Sequence, residues 1–301
     1  TAGMARAAKE KKRMSDSNKP ERKPITKDDI ARLRMTLPKV MDLRKEEPDR
    51  SDDAEDDAMG IVPILEDSCT KIEVPLSAEE IRAFQIYASM LRAKNKVLNL
   101  TTIVDDEGIA MRHFIDSLTL CSYIREEEQH QSGKTLKLAD VGTGAGFPGL
   151  PIKISMPEVS VTLMDSLAKR LNFLQEVVDE LALEGVSLVH CRAEDGGRDR
   201  KYREKYDIVT ARAVAPLPVL AEYCLPFVRV GGVFLAMKGH AEEEVKDASK
   251  AIALLGGTIE KSDTFRLPGT DMDRTIVVVR KIRPTPARFP RKAGTPSKEP
   301  I

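Results

Sequence analysis

Between residues 136 and 281 the apolar positions fall in short runs separated by stretches of helical spacing. The runs Leu136–Val141, Val159–Met164, Ser187–His190, Tyr206–Thr210 and Val233–Met237 each have the length of a buried strand. Between two of them Leu171, Leu174, Val177, Val178 and Leu181 recur at three- and four-residue steps. Leu167–Leu183 is therefore predicted to be a helix with one apolar face. Helices are also predicted around Leu150–Ser155, over Pro216–Val228 and over Glu242–Leu255. Thr258–Arg266 and Arg274–Lys281, joined by the turn-rich segment 267–273, read as an antiparallel hairpin. Strands alternating with helices and closing on a hairpin predict an α/β fold, a mostly parallel sheet with one reversed strand.

Upstream, Ser77-Ala-Glu-Glu80 is a capping box opening a helix to about Lys96, with Ile81, Phe84, Ala88 and Leu91 inward. Asn99-Leu-Thr-Thr102 breaks it with side chains that compete for backbone hydrogen bonds. A second helix is predicted from about Glu107 to Arg125, which sets His113 beside Asp116 one turn on. Residues 1–70 differ in kind: a basic run at Lys9–Arg13, an acidic run at Glu46–Asp57, and prolines at 20, 24, 38, 48 and 63. Such a stretch buries little apolar area and reads as a disordered leader. The expected organisation is a leader over 1–70 and a main domain over 71–283, then a basic tail over 284–301. Within the main domain, 71–130 would be a helical N-terminal extension and 131–283 the α/β core.

Charge changes this picture only locally. Lys+Arg and Asp+Glu both number 48, so the net charge favours no partner. From Arg280 to the C-terminus, however, seven basic residues face one acid. Arg283, Arg288, Arg291 and Lys292 are therefore candidate RNA contacts, with Phe289 among them to stack on a base. Cys69, Cys121, Cys191 and Cys224 show no C-x-x-C spacing and read as reduced thiols. No metal-ligand cluster and no membrane-length apolar run is seen. The expectation is a cytoplasmic monomer without metal or membrane partner.

The candidate chemistry follows the first strand. Asp140 precedes Gly142, Gly144, Gly146 and Gly149, a density that lets backbone turn with positive φ and approach a ligand with no Cβ in the way. Gly144–Gly149 fits G-x-G-x-x-G, a dinucleotide fingerprint. Yet an acid precedes the first glycine, and Pro148 lacks the N–H that a pyrophosphate-binding helix would offer. D-x-G-x-G-x-G after a strand resembles motif I of the Rossmann-like S-adenosylmethionine (SAM) methyltransferases. Asp140 would then accept from the ligand's ammonium. Asp165, ending the second strand, would accept from both ribose hydroxyls. A carboxylate of Cys191-Arg-Ala-Glu-Asp195 would meet the adenine amino group. A dinucleotide enzyme would instead continue with parallel strands after the fifth.

Taken together, the motifs resemble one family, the 16S ribosomal RNA guanine-N7 methyltransferases of the GidB/RsmG type. They are Asn99-Leu-Thr101, His113 with Asp116-Ser-Leu118, the loop Asp140–Gly149 with its Phe-Pro-Gly ending, and Asp165-Ser166 with Lys169-Arg170. Arg192-Ala-Glu194, Ala211-Arg-Ala213, Lys238-Gly239 and Pro290-Arg-Lys-Ala-Gly-Thr-Pro296 complete the set. The resemblance covers about Val74 to the C-terminus. It implies a SAM-dependent methyltransferase of Rossmann-like fold acting on N7 of a guanine in 16S-type rRNA near the decoding site, as naked RNA or in an assembling small subunit. It also implies that Gly142, Phe147, Ala193, Glu194 and Arg212 line the cofactor, beside Asp140, Gly144, Gly146 and Asp165. Arg212, Lys238, Asn99 and His113 would orient or contact the substrate. No general base is expected, because guanine N7 carries a free lone pair. The segment after the fourth strand, Ala211-Arg-Ala-Val-Ala215, lacks the N/D-P-P-[YFW] loop with which amino-group methyltransferases hold an exocyclic NH2. A small-molecule SAM methyltransferase and a non-catalytic SAM- or RNA-binding protein are the alternatives.

Overall fold

Strands whose residues are apolar on both sides need cover on both faces, and the sheet here has it. The structure, a computed structural model, describes residues 60–130 and 133–301. The charged runs Lys9–Arg13 and Glu46–Asp57 lie outside the described residues. The first element, α1 (Val62–Lys71), falls inside the stretch read as leader and corrects that boundary. Ile61, Leu65 and Cys69, four residues apart, are buried on one side of it. Pro63 sits in its first turn, where a missing N–H costs nothing. Three apolar residues among acids and prolines are too sparse to stand out as a periodic run.

Next, α2 (Ala78–Leu98) carries the capping box in full. The Ser77 hydroxyl accepts from the Glu80 N–H at 3.2 Å, and the Ser77 N–H donates to the Glu80 carboxylate at 2.6 Å. Asn99 ends the helix in the left-handed region at φ +49°. The second predicted helix is not continuous. It comprises α3 (Asp106–Gly108), a π-helical stretch (Ile109–Ile115), α4 (Asp116–Leu118), a turn, and α5 (Cys121–His130). His113 lies in the wider π turn and Asp116 just after it, and both are buried.

The core then alternates: β1 (Lys137–Val141), α6 (Gly149–Ser155), β2 (Ser160–Asp165), α7 (Ala168–Glu180), β3 (Val186–His190), α8 (Ala193–Gly196) and β4 (Tyr206–Arg212). It continues with α9 (Leu217–Cys224), β5 (Val228–Lys238), α10 (Glu242–Leu254), β6 (Gly257–Arg266), β7 (Asp273–Lys281) and α11 (Thr295–Lys298). The seven strands are ordered β3-β2-β1-β4-β5-β7-β6. β1 to β5 pair in parallel, and β7 runs antiparallel between β5 and β6. The hairpin prediction holds, and the reversed strand beside β5 excludes the parallel continuation of a dinucleotide enzyme.

Alternate residues of each strand serve two cores. Leu138, Leu163, Ile208, Leu235 and Val278 pack with the N-terminal helices and with Leu171, Leu174 and Val177 of α7. Ala139, Met164, Val209, Phe234 and Val277 pack with Leu220 and Cys224 of α9 and Ile252 of α10. Phe289 is buried in that second core, so it cannot stack on a base. The segment around it is fastened by polar contacts. Arg203 donates to the carbonyls of Thr285 and Phe289 at 2.7 and 2.8 Å, and buried Lys281 donates to the Thr285 hydroxyl at 2.7 Å. A proline-rich stretch that cannot form a long helix is here held through side-chain donors to its carbonyls.

Candidate active site

The strand order reverses between β1 and β4, which opens a crevice at the carboxyl ends of the strands. Two cavities lie there. The first, about 340 Å³, is walled by the ends of β1 to β4, including Gly142, Asp165, Ala193, Glu194, Ala213 and Tyr223. The second, about 470 Å³, is walled by Arg112, His113, Asp116, Arg212, Lys238 and Arg274 among others. Ala213 borders both. It holds φ +56°, an uncommon conformation for a residue with a side chain.

The glycine turn shapes the first cavity, but its members do different work. Gly142, at φ +73°, lies on the wall; a Cβ there would meet Val214 Cγ2 at 2.7 Å. Gly144, at φ +61°, would place a Cβ in open space, and its N–H donates to Asp165 at 3.0 Å. Gly146 is a packing glycine. A Cβ there would strike the Tyr87 hydroxyl and Leu174, and the residue is not on the cavity wall. Tyr87 itself donates to the Ala145 carbonyl and pins the turn to α2, a contact with no signal in the sequence.

Asp140 is also reassigned. It is fully buried and absent from the cavity wall; one carboxylate oxygen accepts from the Thr143 hydroxyl (2.7 Å) and the Gly149 N–H (2.9 Å). Its other oxygen has no partner among the described residues, and burial raises its pKa to about 6. Asp140 thus ties the two ends of the loop together, and the structure does not set it against a ligand ammonium. Asp165 and Glu194 are where the sequence placed them, on the wall. Asp165 accepts from Leu167 N–H at 2.8 Å and from Arg170 at 3.3 Å; Glu194 accepts from Gly294 N–H at 2.8 Å. Gly294 and Ser297 of the C-terminal segment complete this wall, two positions to which the sequence reading gave no role.

The second cavity is built around Asp116. One of its oxygens pairs with Arg212 at 3.0 Å and the other with Arg274 at 2.8 Å, which joins α4, β4 and β7. Phe147 lies beneath rather than on a wall: His113 stacks on it at 4.4 Å, and the Arg212 guanidinium sits 5.2 Å from its centroid. His113 also meets the Thr101 hydroxyl at 2.9 Å. Burial, reinforced by the Arg212 charge, lowers its pKa to about 3, so the imidazole is neutral. Lys238 pairs with Glu244 at 2.8 Å and borders the cavity. Asn99 is exposed, caps α2 and lines neither cavity. Sequence reading missed Arg274, which is 158 residues from its partner Asp116.

The basic tail divides. Arg291 donates to the buried carboxylate of Glu222 through two nitrogens, at 2.7 and 3.0 Å, so its charge is matched within the fold. Arg283, Arg288 and Lys292 are exposed, although Arg283 donates to the Ala253 carbonyl at 2.5 Å.

A doubly wound sheet with a glycine turn after β1, acids at the ends of the next strands and a reversed seventh strand defines a Rossmann-like SAM-dependent methyltransferase. The comparisons are narrower. The family model described as rRNA small subunit methyltransferase G (GidB) matches residues 80–270. The Ribosomal RNA small subunit methyltransferase G of Acetivibrio thermocellus is 51% identical over 238 residues, covering 79% of this chain and 96% of that protein. Its namesake from Geobacillus thermodenitrificans is 47% identical over 229 residues, 76% and 94% of the two chains. Among solved structures, TrmN from Thermus thermophilus overlaps 57% of this chain and 53% of its own at 15% identity and a TM-score of 0.43. The chain belongs to the rRNA small subunit methyltransferase G (GidB) family.

Proposed function

We propose that this chain transfers the methyl group of SAM to N7 of a guanine in 16S-type ribosomal RNA, free or in an assembling small subunit. The observation that carries the reading is the junction at Ala213, where an acid-edged cavity of nucleoside size meets a cavity lined with arginines. The first cavity fits SAM. Gly142 brings the turn to the cavity wall, while Asp165 and Glu194 offer acceptors to a diol and an amino group. Asp165, Ala193, Glu194 and Gly142 would hold it, and bound SAM supplies an electrophilic sulfonium methyl.

The chain's own residues then position and do not exchange protons. N7 attacks with its lone pair, so no base is required, and His113 is neutral with none to give or take at physiological pH. Asp116 fixes Arg212 and Arg274 in place, where they suit O6 or phosphate oxygens and leave N7 free. Holding both reactants in line can supply up to ~7–11 kcal/mol of the barrier. The exposed Arg283, Arg288 and Lys292 suit flanking phosphates. The names of the relatives support the rRNA substrate. A monomer working in the cytoplasm is consistent with that role; no helix of the described residues is long and apolar enough to cross a membrane.

The test is incubation of unmethylated 16S rRNA and small subunits with the protein and labelled SAM, followed by reduction and aniline cleavage at N7-methylguanine. One SAM-dependent cleavage site is expected. Label at another atom, label only on small molecules, or binding without label would each overturn the reading.

A further inference from the structure

At the opposite end of the strands from the active site, the second face of the sheet loses its helical cover. Ser160, Thr162, Ser187 and Val189, on β2 and β3, form the floor of a groove of about 590 Å³, rimmed by Lys201, Tyr202 and Lys205. It runs into a second hollow of about 700 Å³ through Lys137 and Lys205, which line both; Lys134, His130 and Arg229 extend it. The one carboxylate on these walls, Asp207, is taken up by Arg229 at 2.5 Å and by the Lys137 N–H at 2.8 Å. Lys134, Lys137, Lys201 and Lys205 are exposed and have no acidic partner among the described residues. In a chain of zero net charge, four lysines without a carboxylate partner along one groove are a concentration of positive field.

We infer that this groove is a second RNA-binding surface, which takes the sugar–phosphate backbone of the same ribosomal substrate away from the methylated guanine. Small hydroxylated residues on the floor let a backbone approach and offer hydrogen bonds to phosphate or 2′-hydroxyl oxygens. Lysines supply point charges, one of them, Lys201, standing 5.1 Å from the centroid of the half-buried Tyr202 ring. An apolar partner helix would find neither. β4 runs from the groove at Tyr206 to the active site at Arg212, seven residues or roughly 20 Å. An RNA that occupies both places must span at least that distance along the side of the sheet. The inference rests on the rRNA reading of the active site.

The test replaces Lys134, Lys201 and Lys205 with Ala in the full chain and measures affinity for 16S rRNA at several salt concentrations. Three lost phosphate contacts should reduce the log–log salt slope by about 2–3. SAM affinity and the methylation rate at saturating RNA should stay at the wild-type level. Lys246→Ala with Lys250→Ala, on α10, controls for general loss of charge and should leave the slope unchanged. Reversal of the three lysines to Glu should weaken binding further. An unchanged slope in both groove variants would overturn the inference, and so would tighter RNA binding, which would mark the groove as the seat of an acidic polypeptide such as the Glu46–Asp57 run. Failure of the reaction itself would appear separately, as wild-type protein that binds the RNA and leaves it unmethylated.

Discussion

The two cavities that meet at Ala213 are built in opposite ways. The first takes its acceptors from the ends of successive strands: Asp165 closes β2, Glu194 follows β3, and each is held by backbone N–H donors, Asp165 by Gly144 and Leu167 and Glu194 by Gly294 of the C-terminal segment. The second is assembled across distant chain segments by one carboxylate between two guanidinium groups. A site made from strand ends inherits its geometry from the sheet and tolerates loss of one side chain. A site made from a charge network depends on every member.

The largest expected effect therefore falls on the network. Asp116→Ala leaves Arg212 and Arg274 as partly buried cations without their partner, which should cost about 3–5 kcal/mol of stability. Denaturant titration would show it, and a loss below 1 kcal/mol would mean that the two arginines find water as readily as they found the carboxylate. Asp165→Ala should behave differently. The acceptor disappears from a wall that the strands still define, so SAM affinity should fall by about 1.5–3 kcal/mol while the rate at saturating SAM changes little. Calorimetry paired with single-turnover rates separates the two. A collapse in saturated rate at unchanged affinity would contradict the assignment.

Histidine protonation sharpens the contrast further. His113 has a folded pKa of about 3, below the ordinary 6.5, so the unfolded chain binds the proton more readily. Its contribution to stability is intact above pH 6.5 and is lost as pH falls from there towards 3, with a slope of at most ~1.4 kcal/mol per pH unit. Asp140, raised to about 6, acts in the opposite sense: its contribution favours the fold at low pH and is lost as pH rises from about 4 through 6. Comparing stability against pH for the wild type and His113→Gln isolates the first effect, and the variant should lose less between pH 6.5 and 4. Identical profiles would mean that His113 is solvated. The smallest effect belongs to the tail. Arg288→Ala with Lys292→Ala should leave stability and SAM affinity alone and reduce the salt slope of RNA binding by about 1.4.

The same contrast explains what the sequence disclosed. Short apolar runs and a glycine turn are local, so the parallel strands, the hairpin and the positions of Asp165 and Glu194 at strand ends could be read directly. Asp140 shows the limit of a local motif. Its position was right, but its burial, and hence its use as a tie between Thr143 and Gly149, depends on packing. Gly146 was read as a ligand glycine, whereas α2 and α7 press on it from segments more than 20 residues away. Arg291 and Phe289 looked like a free basic tail because neither Glu222 nor the core that receives Phe289 is visible from residues 280–301. The Asp116–Arg274 pair leaves no periodic trace at all, and neither does the π turn.

The central claim is that methyl transfer passes through the junction between the two cavities. Ala213→Leu puts bulk at that point, in a backbone that already holds φ +56°, without removing a group that contacts either ligand. The direct measurement is the single-turnover methylation rate of this variant on 16S rRNA with SAM and RNA both saturating, beside their equilibrium affinities. The account predicts near-normal binding of each ligand and a rate reduced by roughly a hundredfold, the scale of an ångström-sized misplacement. A wild-type rate would show that donor and acceptor meet elsewhere.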